Sequence, residues 1–316
     1  MTIAVVGAGA FGTAMALTLA AKDQVILWGR NPEAMREMAE TRSSGIRLPG
    51  YKLPQEITPT ADVSALSDAK TVLLCLPTQQ IAAFLQSNIK VFEHAHLVAC
   101  CKGIDLASGQ GPCGVILAAL PNSESAILTG PSFAADIAKG LPTALTLACR
   151  NEDIGSHLQD TLSTTTLRLY RTTDVTGAEL GGALKNVIAI ACGAAMGAGL
   201  GQSAQAALMT RGFAEIQRVA TEFGANGKTL MGLSGFGDLV LTCTSDQSRN
   251  FRYGYALGTG ETFGEDTTVE GRTTVMALMH LGLDLPICQS VADLVSGKQD
   301  VHSAIQALLT RPLKEE

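Results

Sequence analysis

Residues 3–14 read IAVVGAGAFGTA, and this stretch decides the fold. The four apolar residues at 3–6 predict a short buried strand, and the apolar residues after the loop predict a helix. Between the two, Gly7, Gly9 and Gly12 have the spacing GxGxxG. A strand, a tight glycine loop and a helix in this order predict the start of a βαβ unit with a parallel sheet.

Each glycine of the loop has its own expected task. Gly7 permits the tight turn, Gly9 lets the backbone approach a pyrophosphate, and Gly12 allows the helix to pack closely on the strand. The helix N-terminus then offers N–H groups to the phosphates. The loop therefore predicts a dinucleotide site.

The same alternation of strands and helices continues along the first half of the chain. Further strands are predicted at 25–28, 71–75, 97–100, 126–129 and 143–148. Helical patterns dominate the second half, at 203–223, 249–257, 270–281 and 301–309. The sequence thus predicts an α/β fold: a Rossmann-type doubly wound sheet domain at residues 1–175, followed by an all-α domain at 176–316.

Composition limits the classes of function. With 46% hydrophobic and 16% charged residues among 316, the chain can build two compact cores. The net charge of −6 argues against nucleic acid as a partner, so an anionic ligand needs a locally basic site. The eight cysteines are scattered and lack a CxxC spacing, which predicts free thiols, a cytoplasmic protein and no metal centre.

One apolar stretch, 180–210, contains Lys185 as its only charged residue. A membrane-spanning helix is the competing interpretation. Small residues recur at Gly193, Gly197 and Gly201, and we expect them to break the helix before it could span a bilayer. The prediction is a buried, closely packed helix and loop, and no membrane span.

The end of the second strand bears on the choice of cofactor. Domains that bind NAD usually carry an acidic residue there, which accepts hydrogen bonds from the ribose. This chain has Leu27, Trp28 and Gly29, followed by Arg30. A guanidinium would accept a 2′-phosphate, so NADP is favoured and NAD tolerated; a solvated surface position for Arg30 is the alternative.

Ligands of open α/β sheets bind beyond the carboxyl ends of the strands. That rule places Lys102 in the expected crevice, together with a loop from Gly130 to Ser132 that enters another helix. The loop could offer backbone N–H groups to an oxygen-rich ligand. For Ser132 an ordinary N-cap role is the alternative, and it is compatible with ligand binding.

Lys185 is costly to bury, so it should be paired, extended toward water or functional. As a functional group it fits a carbonyl reductase, in which an ammonium donates a proton to the alkoxide that hydride attack creates. Burial and a second cation such as Lys102 favour the neutral amine, whereas a carboxylate partner favours the ammonium. The sequence leaves that balance open.

Two further motifs lie in the helical half. The first is GFGDLV with Asp238, and the second is SDQSRNFRYG with Ser248, Arg249 and Asn250. Ser248 is the predicted N-cap of a helix that starts at Arg249. The exposed N–H groups, the hydroxyl, the guanidinium and the amide would form a phosphate cradle, with a solvated helix start as the alternative.

Taken together, these motifs resemble the bacterial-type NAD(P)-dependent sn-glycerol-3-phosphate dehydrogenases. The resemblance runs through nearly the whole chain, and it rests on GAGAFGTA (7–14), CKG (101–103), GPSFAADIAKGLPTA (130–144), LGGALKNVIAIACG (180–193), GDLVLTCTSDQSRN (237–250) and VEG (269–271). It implies reduction of dihydroxyacetone phosphate to sn-glycerol 3-phosphate, a precursor of phospholipids. A homodimer is compatible with it, although the sequence leaves the oligomeric state open.

The resemblance also implies roles for single residues. Lys185 is the implied proton donor and acceptor, and the implied substrate contacts are Lys102, Gly130, Ser132, Lys185, Asp238, Ser248, Arg249 and Asn250. The implied cofactor contacts, besides the three glycines, are Ala10, Phe11, Arg30, Lys102, Ala134, Arg249, Thr268 and Glu270. Ala10 replaces a frequent serine and Thr268 a frequent valine, so backbone contacts would remain there while side-chain contacts could be lost.

Two other functions fit parts of the pattern. A 3-hydroxyacid dehydrogenase has a similar sheet and helical second domain and also uses a lysine, but it needs a carboxylate site rather than a phosphate cradle. A non-catalytic module that senses NADP would need no Lys185, so turnover of a ketone phosphate would eliminate it.

Overall fold

The computed structural model describes residues 2–264 and 267–309. The chain divides into two compact units, Met1–Glu179 and Leu180–Glu316. The last residues of the predicted second domain, 310–316, lie outside the described residues.

The first unit contains one eight-stranded sheet. Its strands are β1 (Thr2–Val6), β2 (Gln24–Trp28), β3 (Ile57–Thr60), β4 (Thr71–Leu74), β5 (His96–Ala99), β6 (Ser125–Thr129), β7 (Thr143–Cys149) and β8 (Leu167–Thr172). Its helices are α1 (Ala10–Leu19), α2 (Pro32–Thr41), α3 (Thr78–Gln86), α4 (Ile89–Phe92), α5 (Pro112–Ala119), α6 (Ala134–Ala138) and α7 (Glu152–Leu162), with a 3₁₀ turn at Val63–Leu66.

The strand order is β3-β2-β1-β4-β5-β6-β7-β8. From β3 through β6 all neighbours are parallel, and β7 pairs antiparallel with β6 and parallel with β8. The order reverses between β1 and β4, which is the switch point where doubly wound sheets bind ligands. The predicted fold class of the first unit is confirmed.

Burial of β1 explains why its sequence is apolar throughout. Ile3 and Val5 join the core on one face of the sheet, and Ala4 and Val6 join the core on the other. All four are fully buried. A central parallel strand covered on both faces therefore reads as a continuous apolar run rather than an alternating one.

Two strands, β3 and β8, were not predicted from the sequence, and they are the two edges of the sheet. β3 carries Pro59, which an edge strand tolerates because one of its sides makes no ladder hydrogen bonds. In β8 buried and exposed residues alternate, with Leu167 and Leu169 buried and Arg168 and Tyr170 exposed. Neither has the apolar run by which the central strands were found.

Among the described residues, no strand follows β8, and the second unit is built from helices. They are α8 (Val175–Gly197), which begins in the first unit, α9 (Gly201–Glu222), α10 (Gly227–Met231), α11 (Asp238–Thr244), α12 (Arg249–Thr259), α13 (Glu270–Leu278), α14 (Pro286–Val295) and α15 (Val301–Leu309). A π-helical turn, Leu233–Gly237, precedes α11, and a 3₁₀ turn, Met279–Leu281, follows α13. The predicted all-α character of this half is confirmed.

The expectation that glycines break the apolar stretch is wrong, because α8 runs for 23 residues up to Gly197. Its glycines serve close packing. A Cβ on Gly193 would overlap the carbonyl oxygen of Phe251 on α12, and a Cβ on Gly254 of α12 would overlap the carbonyl oxygen of Ile190. The two backbones touch, and this contact outweighs the weak helix propensity of glycine.

By length and composition alone, α8 is the one helix of the described residues that could cross a membrane. Of its apolar window, however, 89% is buried within the protein. Such burial is typical of a core helix in a folded domain rather than of a helix whose side chains face lipid.

Candidate active site

The glycine loop lies between β1 and α1, at the switch point of the sheet. Gly7 has a φ of +114°, and a Cβ there would lie 2.6 Å from the carbonyl oxygen of Cys75. A Cβ on Gly12 would overlap the carbonyl oxygen of Gly7, so the helix can approach the loop only without a side chain at that position. These are the conformational tasks expected of the first and third glycines.

Gly9 is different, because no atom lies within 4 Å of where its Cβ would be. It is the N-cap of α1, and the first intrahelical bond runs from Thr13 N to Gly9 O. The N–H groups of Ala10, Phe11 and Gly12 therefore precede the helix ladder and have no intrahelical acceptor. Open space beside a bare backbone and a helix N-terminus fits the pyrophosphate of a dinucleotide.

At the end of β2 the structure places an exposed Arg30. The Trp28 side chain is held in place because its Nε1 donates to the carbonyl oxygen of Ala61 at 3.0 Å. The next residue, Gly29, donates its N–H to the carbonyl oxygen of Thr60 at 3.0 Å. Arg30 is followed by Asn31, the N-cap of α2. No carboxylate follows this strand until Glu33, so the position is basic, as expected from the sequence.

The ends of β5 and β6 meet at one carbonyl oxygen. Lys102 Nζ and Ser132 Oγ each donate to the oxygen of Gly130 at 3.3 Å, and Gly130 itself has a φ of +142°. Lys102 is half-buried. Lys102, Gly130 and Ser132 therefore lie together at the carboxyl edge of the sheet, as the strand order predicts.

The N-cap alternative for Ser132 is wrong. The N-cap of α6 is Phe133, which makes no side-chain capping bond, because the chain turns into the helix one residue later than expected. Ala134, an implied cofactor contact, is the first residue of α6. Next to it, the Tyr51 hydroxyl donates to the carbonyl oxygen of Ala135 at 3.3 Å.

In the second unit, Lys185 is 5% exposed and lies in a cluster of buried polar side chains. Its Nζ forms an ion pair with Asp238 and donates to Thr242 Oγ1 at 2.7 Å. Asp238 and Thr242 are one helical turn apart on α11, so both face α8. Asp238 follows the π-helical turn, an irregularity that is frequent at functional sites.

Of the groups weighed for Lys185, the structure shows a direct carboxylate partner, and a carboxylate stabilises the ammonium. Thr242 was not singled out from the sequence. The sequence spacing could have identified Thr242, because it lies four residues after Asp238 and so on the same face of one helix. Nearby, burial raises the pKa of the Cys243 thiol.

The predicted phosphate cradle is a helix start with one exposed cation. Ser248 is the N-cap of α12, as predicted, and its Oγ accepts from Phe251 N at 3.2 Å. Arg249 is exposed, whereas Asn250 is buried and its Oδ1 accepts from Gly271 N at 2.9 Å. The Asn250 oxygen is thus used to hold α13, so Asn250 can offer a phosphate only its Nδ2 group, beside the Ser248 hydroxyl, the helix N–H groups and Arg249.

The start of α13 is held by a second amide as well. Asn186 Nδ2 donates to Glu270 Oε2 at 3.4 Å, and a Cβ on Gly271 would lie 2.7 Å from the Asn186 carbonyl oxygen. Thr268, two residues before the helix, is exposed. Asn186 was missed from the sequence, although a buried amide beside Lys185 in an apolar stretch was a signal.

The predicted residues therefore group within each unit. In the first unit the glycine loop, Arg30 and the Lys102–Gly130–Ser132 group all follow the carboxyl ends of strands. In the second, Lys185 contacts Asp238, and Asn250 and Glu270 meet at the start of α13. Within the described residues, no three His, Cys, Asp or Glu side chains group in a way that could hold a metal ion.

Comparisons with known proteins agree with this arrangement. Residues 2–155 match the family model described as NAD-dependent glycerol-3-phosphate dehydrogenase N-terminus, and residues 174–306 match the model of its C-terminus. The glycerol-3-phosphate dehydrogenase [NAD(P)+] of Paracoccus denitrificans is 56% identical over 320 residues, and that of Ruegeria sp. is 54% identical over 320 residues. In both cases 100% of each chain is covered.

A solved structure extends the likeness to three dimensions. The glycerol-3-phosphate dehydrogenase (gpsA) of Coxiella burnetii superposes with a TM-score of 0.93 at 34% identity, covering 98% of this chain and 99% of that one. The motif order, both family models and full-length relatives thus agree, which confirms the resemblance. The chain belongs to the NAD-dependent glycerol-3-phosphate dehydrogenase family.

Proposed function

We propose that the chain interconverts dihydroxyacetone phosphate and sn-glycerol 3-phosphate by hydride transfer with NAD(P)H, and so supplies glycerol 3-phosphate for phospholipid synthesis. The observation that carries this proposal is the buried Lys185, held by Asp238 and Thr242, in a chain of this family. A buried ammonium is costly unless its charge is paired and hydrogen-bonded, and Lys185 is 5% exposed. Here it is paired, and pairing also fixes its position.

Lys185 supplies the acid–base chemistry in this proposal. When bound, NAD(P)H provides the hydride that reduces the carbonyl carbon. The Lys185 ammonium gives a proton to the oxygen that becomes the hydroxyl, and in the reverse direction the neutral amine accepts that proton. Asp238 stabilises the charged form and orients Nζ, and Thr242 fixes the same nitrogen from the next turn of α11.

The substrate contacts are proposed from the positions of charge and backbone donors. Arg249 pairs with the phosphate, because its exposed guanidinium stands at the N-terminus of α12, whose N–H groups also favour an anion. The proposed substrate contacts are Lys102, Gly130, Ser132, Lys185, Asp238, Ser248, Arg249 and Asn250.

The cofactor contacts follow the same reasoning. The glycine loop holds the pyrophosphate, with open space at Gly9 and unpaired helix N–H groups beside it. Arg30 clasps the 2′-phosphate, so NADPH is preferred over NADH. The remaining proposed contacts are Ala10, Phe11, Lys102, Ala134, Arg249, Thr268 and Glu270.

Two properties of the whole protein are also proposed. All eight cysteines are free thiols, which fits the reducing cytoplasm. A homodimer is proposed as the working state, and light scattering on the purified protein gives its mass in solution.

The test of the main proposal is turnover. The purified chain is incubated with NADPH and dihydroxyacetone phosphate, and oxidation of the nicotinamide is followed by its absorbance. We expect steady consumption, little with unphosphorylated dihydroxyacetone, and none with a 3-oxo acid. Turnover of the 3-oxo acid alone would favour a hydroxyacid dehydrogenase, and binding of NADPH without turnover of any ketone would favour a sensor.

A further inference from the structure

Two thiols, Cys75 and Cys100, stand side by side at the carboxyl edge of the sheet. They directly follow β4 and β5, whose last residues Leu74 and Ala99 are paired in parallel register. The ladder continues past that pair, because Cys75 N donates to Val6 O at 2.8 Å and Cys100 N donates to Leu74 O at 2.9 Å. Cys75 and Cys100 are therefore neighbours on adjacent strands.

Both thiols point to the same face of the sheet. They pack against the core that contains Leu73 and Val98, whereas Cys101 joins the core of the opposite face. Both are partly accessible to solvent. A hydrogen bond with Cys75, followed by burial, holds the pKa of Cys100 well above its ordinary value, so Cys100 stays protonated at neutral pH.

The pair lies directly against the glycine loop. The carbonyl oxygen of Cys75 is the atom that a Cβ on Gly7 would approach to 2.6 Å, and the Cβ of Cys75 would lie 3.1 Å from a Cβ on Gly12. The two glycines that shape the turn thus rest on the backbone and side chain of Cys75. Because this packing is close, a displacement of Cys75 would also displace the glycine loop.

We propose that Cys75 and Cys100 form an oxidation site that takes a peroxide or a small organic disulfide and closes to a Cys75–Cys100 disulfide, which weakens dinucleotide binding. The effect on the dinucleotide rests on the proposed function, whereas closure of the disulfide does not. Adjacent strands lie about 4.8 Å apart. That spacing falls within the Cα–Cα range of about 4.4–6.8 Å that disulfides require.

The chemistry balances with hydrogen peroxide as oxidant. The sulfur of Cys75, losing its proton, attacks one peroxide oxygen; the O–O bond breaks, and a sulfenic acid and one water form. The sulfur of Cys100 then attacks the sulfenic sulfur, its proton leaves with the hydroxyl as a second water, and the S–S bond forms. Two thiols lose two electrons and two protons, and one peroxide is reduced to two waters.

A second thiol pair provides an internal comparison. Cys192 on α8 and Cys243 on α11 also form a hydrogen bond, but both are fully buried. Oxidants reach buried thiols slowly, since attack needs an accessible sulfur. Cys192 is also remote in sequence from every proposed cofactor residue of the glycine loop, so Cys192→Ser is the matched control.

The experiment uses the full-length protein, reduced and then treated with hydrogen peroxide or with a small organic disulfide, 2-hydroxyethyl disulfide. Peptide mass spectrometry after alkylation maps which thiols are lost, and fluorescence titration gives the Kd for NADPH before and after oxidation. In the wild type and Cys192→Ser, we expect a Cys75–Cys100 linkage and about tenfold weaker NADPH binding, about 1.4 kcal/mol, reversed by dithiothreitol. In Cys75→Ser and Cys100→Ser, the linkage and the loss of affinity should both be absent.

Bound cofactor gives a second readout that does not depend on activity. NADPH at about ten times its Kd should slow closure about tenfold, because about one eleventh of the protein then has an open loop. Two results would overturn the inference and leave the proposed function standing. One is a disulfide between Cys192 and Cys243 instead of Cys75 and Cys100. The other is no disulfide after oxidation, in a protein that bound NADPH while it was reduced. A Cys75–Cys100 linkage in a protein that binds no dinucleotide even when reduced would instead refute the proposed function.

Discussion

At the scale of single residues, the central feature is an ammonium and a carboxylate that are buried together. Lys185 is 5% and Asp238 1% exposed, so each would be costly without the other. Removing one partner of such a pair leaves an uncompensated buried charge, which costs about 3–5 kcal/mol. A test of the role of Lys185 must therefore separate loss of chemistry from loss of folding.

Lys185→Arg makes that separation. Arginine keeps the positive charge beside Asp238 but does not release a proton near neutral pH. We expect kcat to fall by about 10²-fold or more, the contribution of a positioned general acid, while NADPH affinity and Tm change little. Lys185→Ala should show the same loss of kcat together with a lower Tm. Retention of more than about a tenth of kcat in Lys185→Arg would remove the lysine from proton transfer.

Arg30→Ala tests the cofactor preference. Only NADPH carries the 2′-phosphate that the guanidinium can clasp, so its Kd should rise by about tenfold or more while that of NADH changes little. Both values come from fluorescence titration. Arg36, on the exposed face of α2, offers a matched control, since Arg36→Ala removes the same charge outside the proposed site. An equal loss of affinity for both cofactors in Arg30→Ala would contradict the assignment.

Arg249→Ala tests the phosphate contact. A charge-assisted contact is worth about 1.5–3 kcal/mol, so KM for dihydroxyacetone phosphate should rise by about 10- to 150-fold. Reduction of unphosphorylated dihydroxyacetone should change far less. Arg249→Lys should restore only part of the affinity, because an ammonium lacks the two-pronged geometry of the guanidinium.

Arg249 is also a proposed cofactor contact, so the Kd for NADPH is measured separately without substrate. An unchanged ratio of kcat/KM between phosphorylated and unphosphorylated substrate would place the phosphate elsewhere, with Lys102 as the next candidate.

At the scale of elements, the contact between α8 and α12 connects the two helices that carry Lys185 and Arg249. The contact is made by backbone against backbone, with Gly193 and Gly197 on α8 facing Gly254 and Gly258 on α12. Because these positions carry no side chain, the two helices approach more closely than ordinary packing allows. The position of Arg249 relative to Lys185 therefore depends on glycines that have no chemical role.

Gly193→Ala tests this contact. Alanine in a helix is ordinarily favoured over glycine by about 1 kcal/mol, but here its Cβ would overlap the Phe251 carbonyl oxygen, and overpacking costs about 1–3 kcal/mol or more. We expect a lower Tm and a higher KM for dihydroxyacetone phosphate. Gly227→Ala is the control, since no atom lies within 4 Å of its Cβ and the residue opens α10. A Tm equal to or above that of the wild type in Gly193→Ala would refute the close contact.

At the scale of the whole molecule, stability should depend on pH through a histidine. Burial and the neighbouring His157 lower the pKa of His96 below its ordinary value of 6.5, with Glu124 opposing them. The unfolded chain then binds more protons than the folded one between these two values, so the stability of the folded state rises with pH across that window. Stability is lost as pH falls from about 6.5 through the lowered pKa of the folded protein.

The measurement is Tm at several values from neutral to mildly acidic pH. His96→Gln should show a shallower decline than the wild type, because its side chain does not titrate. His94→Gln is the control, since it makes the same substitution at a largely exposed position nearby in sequence. Equal slopes for His96→Gln and the wild type would show that other groups control the acid side of the stability curve.

The sequence alone determined the features that local patterns encode. The glycine spacing after an apolar strand indicated the dinucleotide loop, the apolar runs indicated the six inner strands, and Lys185 was conspicuous as the only charge in an apolar stretch. Buried central strands and amphipathic helices leave such patterns because their neighbours are the same along their whole length. The order of the motifs was enough to indicate the family.

Tertiary structure alone decided the features that depend on residues far apart in the chain. Asp238 and Thr242 meet Lys185 across 53 and 57 residues, and Asn250 meets Gly271 across 21. The edge strands β3 and β8 were missed because an edge strand is partly exposed to solvent and tolerates proline, so its sequence need not contain an apolar run. The glycines of α8 were misinterpreted as helix breakers, since helix propensity is local, whereas the contact that requires them is made by another helix.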